Sequence, residues 1–202
     1  MLKIFLIRHA QSSHNKTGIA QGSDIDSELS EEGLEQAKKL AKRLQNENII
    51  AIYCSDLKRS FGTAKILSNL LGTKIIQDHN LRELKIGDWS GITKDPLDKW
   101  IKYYDEQKKL GIPREEIRPP NGENSWDHMA RIKKFLESIK NIDGNIIVVA
   151  HSGTNKVFIG TIKGTDPDEF YTFKQDNVCI NEIVYKGKKW KVKKINDTSH
   201  LL

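Results

Sequence analysis

Cysteine is scarce. The 202-residue chain has two, Cys54 and Cys179, each alone inside an apolar stretch. Neither belongs to a C-x-x-C pair, and there is no H-E-x-x-H or EF-hand loop. Metal and redox chemistry therefore lack local support, and two buried free thiols in a reducing compartment are expected. No apolar run approaches the ~18 residues of a spanning helix. The N-terminal stretch Ile4 to Ile7 is cut short by Arg8, so it has no signal-peptide core. A cytoplasmic protein with no membrane partner is expected. Internal repeats, low-complexity tracts and Pro/Gly-rich linkers are also absent, which leaves one domain over residues 1–202 as the simplest organisation.

What is present is ordinary globular composition, with a basic excess of 33 − 27 = 6 over the acids. That excess favours anionic ligands without choosing among them. Much of it falls in Lys186, Lys188, Lys189, Lys191, Lys193 and Lys194 around Trp190. No RRM, KH or zinc-finger pattern accompanies this run, so nucleic acid is not expected. Lysines of a terminal hairpin, which guard an edge strand against unwanted pairing, are the better reading.

Strand-like and helix-like periods alternate along the chain. Leu2–Ile7, Ile49–Cys54, 74–77 and 145–150 read as strands. Ser30 can cap a helix opened by Glu31 and Glu32, with Leu34, Ala37, Ala41 and Leu44 as its apolar stripe. A second helix turns Phe61, Ala64, Leu67 and Leu71 inward and stops at Gly72. A third carries Trp126, Met129, Ile132, Leu136 and Ile139, and another starts near Thr154. Asp166-Pro167 reads as a cap and first helical position. Two closing strands, about 178–185 and 190–195, can pair through Gly187. The alternation predicts an α/β three-layer sandwich, a mostly parallel central sheet with helices on both faces. Residues 92–124 fit no pattern; they are expected to form a lid or insertion, with Trp100, Tyr103, Tyr104 and Arg114 as candidate lining.

In open sheets, ligands bind beyond the carboxyl ends of strands. That rule selects Arg8-His9 after the first strand and His151-Ser152-Gly153 after the strand at 145–150. A guanidinium fork and an imidazole meet two needs of phosphoryl transfer, fixed positive charge and a nucleophile.

Five segments then carry a family resemblance: Leu6-Ile7-Arg8-His9-Ala10-Gln11-Ser12 with Asn15 and Gln21-Gly22; Ser55-Asp56-Leu57-Lys58-Arg59 with Thr63-Ala64; Leu81-Arg82-Glu83 with Gly87-Asp88-Trp89-Ser90-Gly91; Pro120-Asn121-Gly122-Glu123; and Val149-Ala150-His151-Ser152-Gly153. In this order they resemble the histidine phosphatase superfamily, which includes the cofactor-dependent phosphoglycerate mutases. The resemblance implies that His9 attacks phosphorus and His151 stays opposite it as a charged donor. Arg8 and Arg59 grip the phosphoryl oxygens, with Asn15, Gln21, Gly22 and Ser152 around them. Glu83 serves as acid and then base, although Arg82 is an alternative ion-pair partner for it. His14 is a weaker candidate, for the pocket or for a surface loop, and His79, His128 and His200 read as structural.

The mutases carry Glu-Arg-x-Tyr-Gly at the acid, where this chain has Glu83-Leu84-Lys85-Ile86-Gly87. The ending from Asn177 looks more like phosphoserine or α-ribazole phosphatases. Hydrolysis of a small phosphorylated metabolite, with no cofactor and no metal, is the expected activity. A mutase and a silent relative that only binds a partner are the alternatives. A homodimer is left open.

Overall fold

The computed structural model describes residues 1–92 and 96–202. Its centre is a six-stranded mixed sheet in the order β3-β2-β4-β1-β5-β6. The strands are β1 (Leu2–Arg8), β2 (Ile49–Cys54), β3 (Ile75–Gln77), β4 (Gly144–Ala150), β5 (Ile180–Lys186) and β6 (Lys189–Asp197). The first four pair in parallel, whereas β5 runs antiparallel to β1 and to β6. β1 and β4 are covered on both faces, which is why each reads as an unbroken apolar run. Alternate side chains part to the two faces. Phe5, Ile7, Ile147 and Val149 meet α2 (Glu31–Leu44) and α3 (Lys58–Leu71), while Ile4, Leu6, Ile146 and Val148 meet α5 (Ser125–Ile139) and α6 (Ser152–Lys163). The expected three layers are therefore present. Two further helices, α1 (Ser13–Thr17) and α4 (Pro96–Lys109), lie near the carboxyl end of the sheet's parallel part.

Local chemistry accounts for most boundaries. Ser30 Oγ accepts from Gly33 N–H at 3.1 Å to cap α2, and Gly72, at φ +66°, closes α3. Asn124 and Asp127 form a capping box ahead of α5, which buries Ile132, Phe135, Leu136 and Ile139. The 166–172 segment is a 3-10 helix capped by Asp166. Helix α6 starts at Ser152 and not near Thr154, because His151 is the last extended residue and serves as its cap. β6 is an edge strand whose lysines 189, 191, 193 and 194 are exposed, in keeping with the protective role expected of them. Of the segment 92–124, residues 93–95 lie outside the described residues. Among those described, no helix is long and apolar enough to cross a membrane.

One face differs from expectation. Leu34 is 42% exposed, and Gly33 and Leu40 join Ala37, Ala41 and Leu44 on the buried side of α2. The reason is close approach: a Cβ at position 33 would lie 2.0 Å from the Gln11 carbonyl oxygen. Helix α2 thus rests directly on the loop that follows β1. Gly33→Ala should destabilise the fold by about 1–3 kcal/mol through overpacking, despite alanine's better helix propensity. Urea unfolding measures this, and a neutral or stabilising effect would contradict the contact.

Candidate active site

The parallel register of β1 and β4 runs from Leu2 opposite Gly144 to Arg8 opposite Ala150. It brings the two strand ends side by side, and His9 N–H donates to the Ala150 carbonyl at 2.9 Å. The imidazoles that follow, His9 and His151, have ring centroids 5.1 Å apart at 61°. Both are buried.

His9 Nδ1 lies 2.7 Å from the Ala10 carbonyl oxygen. A carbonyl only accepts, so in the neutral ring Nδ1 carries the hydrogen and Nε2 the lone pair. Burial pushes the His9 imidazole well below its ordinary value, and the charges of Arg59 and Arg8 push the same way. Both influences favour the neutral ring, in which the Nε2 lone pair is uncommitted. His151 is driven down by burial, then by Arg59, His9, His128 and Arg8. These causes disfavour the charged form expected at this position, which a nearby negative group would favour.

The arginines come from different elements. Arg59, the second residue of α3, is 2% exposed, with Nη1 on Asp26 Oδ1 at 3.0 Å and Nη2 on the Gly22 carbonyl at 2.8 Å. It is no surface residue. Arg8 donates through Nη1 to the Gln175 carbonyl at 2.8 Å. Arg8 Nε, Arg59 Nε and both ring nitrogens of His151 are buried with no protein partner among the described residues. Buried polar atoms left this way are costly, and an anion would satisfy the N–H donors among them.

Asn15 accepts through Oδ1 from Ser12 N–H at 3.2 Å and from Asn177 Nδ2 at 3.4 Å, which leaves its amide hydrogens for other acceptors. Asn15 and Ser152 both line the pocket. Gln21 lines it too, but its amide braces loops, donating to Ser12 Oγ at 3.2 Å and accepting from Ser27 Oγ at 2.9 Å. Gly22 contributes the carbonyl that holds Arg59.

Glu83 does not pair with Arg82, which forms a bidentate bridge to Asp56 at 2.7 and 2.6 Å. Instead its Oε2 accepts from Gly153 N–H at 2.9 Å, and its Oε1 from Leu84 and Thr154 N–H at 2.9 and 3.1 Å. The amino end of α6 therefore fixes this carboxyl group, with the helix dipole behind it. His128 sits buried behind the arrangement, its Nε2 3.2 Å from Thr154 Oγ1.

Arg8, His9, Asn15, Arg59, Glu83 and Ser152 form one end of a cavity of about 810 Å³, with the fully buried His151 behind them against His9. Trp100 and Tyr104 of α4 line its far side, as expected of the 92–124 segment. Tyr103 packs on Trp89 instead, ring centroids 5.7 Å apart, and Arg114 pairs with Asp166 and Asp168. His14 does not line the cavity. Both cysteines are buried, and burial pushes the Cys54 thiol up to about 12 and Cys179 up to about 11. The sequence reading missed Asp26, Thr154, Asn177 and Gln175. Asp26 and Asn177 lie in loops with no motif, and Gln175 holds Arg8 through its backbone carbonyl, which carries no side-chain signal.

Residues 4–198 match the histidine phosphatase superfamily, branch 1, and the chain belongs to that family. It is 30% identical to phosphoserine phosphatase 1 of Hydrogenobacter thermophilus, over 100% of this chain and 95% of that protein. It is 31% identical to phosphoglycerate mutase-like protein 4 of Arabidopsis thaliana, over 98% of this chain and 86% of the other. Among solved structures, phosphoserine phosphatase of Entamoeba histolytica in complex with 3-phosphoglyceric acid superimposes with a TM-score of 0.84, at 25% identity and full coverage of both chains.

Two outcomes follow from this geometry. A Cβ at Gly153 would lie 2.5 Å from Glu83 Oε1. Gly153→Ala should therefore shift that carboxyl group while leaving the helix intact, and lower kcat/KM by about 10²-fold. Steady-state kinetics beside far-UV circular dichroism check this; unchanged kinetics would deny Glu83 its role. Separately, the fold withholds protons from His9, His128 and His151. The unfolded chain takes them up below about pH 6.5. Stability should thus be full above that pH and fall as the pH drops, and millimolar phosphate should blunt the fall. Urea midpoints between pH 8 and 5 measure it, and a flat profile would contradict neutral burial.

Proposed function

We propose that the chain is a phosphomonoesterase that passes the phosphoryl group of a small phosphorylated metabolite to His9 and then to water, as a single cytoplasmic domain and without a bound metal. The observation that carries this reading is the neutral, buried His9 ring, its Nδ1 committed to Ala10 and its Nε2 available beside two arginines. In the first step the Nε2 lone pair forms a bond to phosphorus. The bond from phosphorus to the ester oxygen breaks, its electron pair leaves on that oxygen, and Glu83 supplies the proton. In the second step water attacks the phosphohistidine and gives a proton to Glu83, the P–N bond breaks and inorganic phosphate leaves. Arg8 and Arg59 hold the phosphoryl oxygens, a task that planar forks suit, with Asn15 and Ser152 adding neutral donors. His151 donates to the same oxygens, and a bound dianion favours the protonated ring against the burial that disfavours it. Positive charge comes from these side chains, so a divalent ion is not needed.

Hydrolysis is favoured over mutase activity by the wall next to Glu83. Leu84 and Ile86 line the cavity, where the mutases have an arginine and a tyrosine. A charge-assisted contact of about 1.5–3 kcal/mol is thereby missing, which speeds product escape by roughly one to two decades.

Acid-quenched turnover of a radiolabelled phosphomonoester should trap one acid-labile, base-stable phosphoryl group per chain. His9→Ala should abolish the label and lower turnover by roughly 10³-fold or more. Glu83→Gln should cost far more with serine phosphate than with p-nitrophenyl phosphate, whose leaving group needs little protonation. Near-normal activity in the His9→Ala protein would refute the mechanism, as would activity lost on chelation and restored by added metal.

A further inference from the structure

We propose that the alcohol released by this enzyme carries a planar aromatic ring, seated against a wall of Trp89, Trp100, Tyr104 and Tyr171. The inference rests on the phosphomonoesterase reading and adds the class of leaving group.

The phosphoryl end of the cavity, Arg8, His9 and Arg59, takes only part of its 810 Å³. That volume lies within the ~300–1,000 Å³ of sites that enclose drug-sized ligands, and an amino-acid phosphate would leave much of it to solvent. The rest is lined mainly by the four aromatic residues and by aliphatic ones such as Leu84, Ile86 and Ile101. Ile101 is 51% exposed and Tyr171 38%, both on this concave surface. Large apolar groups left open in a cavity mark a ligand surface. The wall is also held in place. Trp89 and Trp100 meet at 6.0 Å and 66°, and Trp100 and Tyr104 at 5.4 Å and 48°. A ring that packs on such a wall gains edge-on or offset contacts that an aliphatic alcohol cannot make.

Charge at this end points the same way. Glu123 takes Arg131 in a bidentate bridge at 2.9 and 2.9 Å, and Asp168 takes Arg114 at 3.1 Å. Lys156 lies with its ammonium 5.9 Å from the Tyr171 ring centroid. Among the described lining residues, the only arginines are those of the phosphoryl end. A substrate carboxylate in the distal cavity would therefore lose water against rings without meeting a guanidinium fork.

The test compares alcohols of matched reactivity, so that leaving-group chemistry does not enter. Phosphate release is measured from 2-phenylethyl phosphate and ethyl phosphate, both esters of primary alcohols, and from phosphoserine. The phenyl ester should be favoured over ethyl phosphate by roughly 10- to 100-fold in kcat/KM, the range expected for ring stacking on an aromatic wall. It should also exceed phosphoserine. Trp100→Ala should bring the phenylethyl-to-ethyl ratio toward one, whatever it does to absolute rates, while Trp100→Phe, which keeps a ring, should retain most of the ratio. Equal kcat/KM for the two esters, preference for phosphoserine, or a ratio unchanged in Trp100→Ala would overturn the inference and leave the phosphomonoesterase reading standing. No phosphate release from any ester, together with no phosphoenzyme, would remove that reading and the inference with it.

Discussion

Removing two guanidiniums from water beside two imidazoles is the constraint around which the site is organised. Arg59 is almost wholly buried and Arg8 half-buried, and burial is the largest influence lowering both, with Glu83 opposing it from across the pocket. The arginines keep their charge, held by Asp26, the Gly22 carbonyl and the Gln175 carbonyl. The imidazoles yield instead. Both sit far below their ordinary range, partly because of those arginines. One arrangement thus does two things that look opposed: it concentrates positive charge suited to an anion and disfavours the protonated form of the imidazoles beside it.

The elements divide the work. The ends of β1 and β4 supply the imidazoles, and their spacing is set by backbone register, not by side-chain reach. The first turn of α3 supplies Arg59, and the first turn of α6 supplies the N–H groups that hold Glu83. The far wall comes from other segments, α4 and the 3-10 helices at 87–89 and 167–172, the last of which seats the buried Phe170 against α6.

How much of this was visible in the sequence depends on how local each cause is. β1 and β4 were legible because strands buried on both faces read as continuous apolar runs. α3 and α5 were legible from their helical spacing and stop or cap residues. The face of α2 was not, because a glycine-mediated approach to Gln11 outweighs the apolar count that favoured Leu34. Among the site residues, Arg8 and His9 announce themselves by position at a strand end. The surroundings of Arg59 do not, since Asp26 lies in a distant loop. For Glu83 the neighbouring Arg82 was the alternative partner, yet Asp56 takes that arginine and backbone N–H groups of a remote helix take Glu83. Interactions made by main-chain atoms leave no trace in residue identity, and much of this pocket is held by them.

The position of β1 and β4 also bears on how the molecule comes apart. They are the two middle strands of the sheet, and their apolar runs are closed to solvent on both faces. Segments of that kind open only when the whole domain unfolds, whereas peripheral helices with exposed apolar residues such as Ile101 open by sub-global fluctuation. Amide exchange would therefore be slowest at the strands that end in His9 and His151 and fast along α4. A molecule whose rim has loosened still holds its two imidazoles in register, so on warming or in mild denaturant it becomes a less discriminating catalyst before it becomes an inactive one.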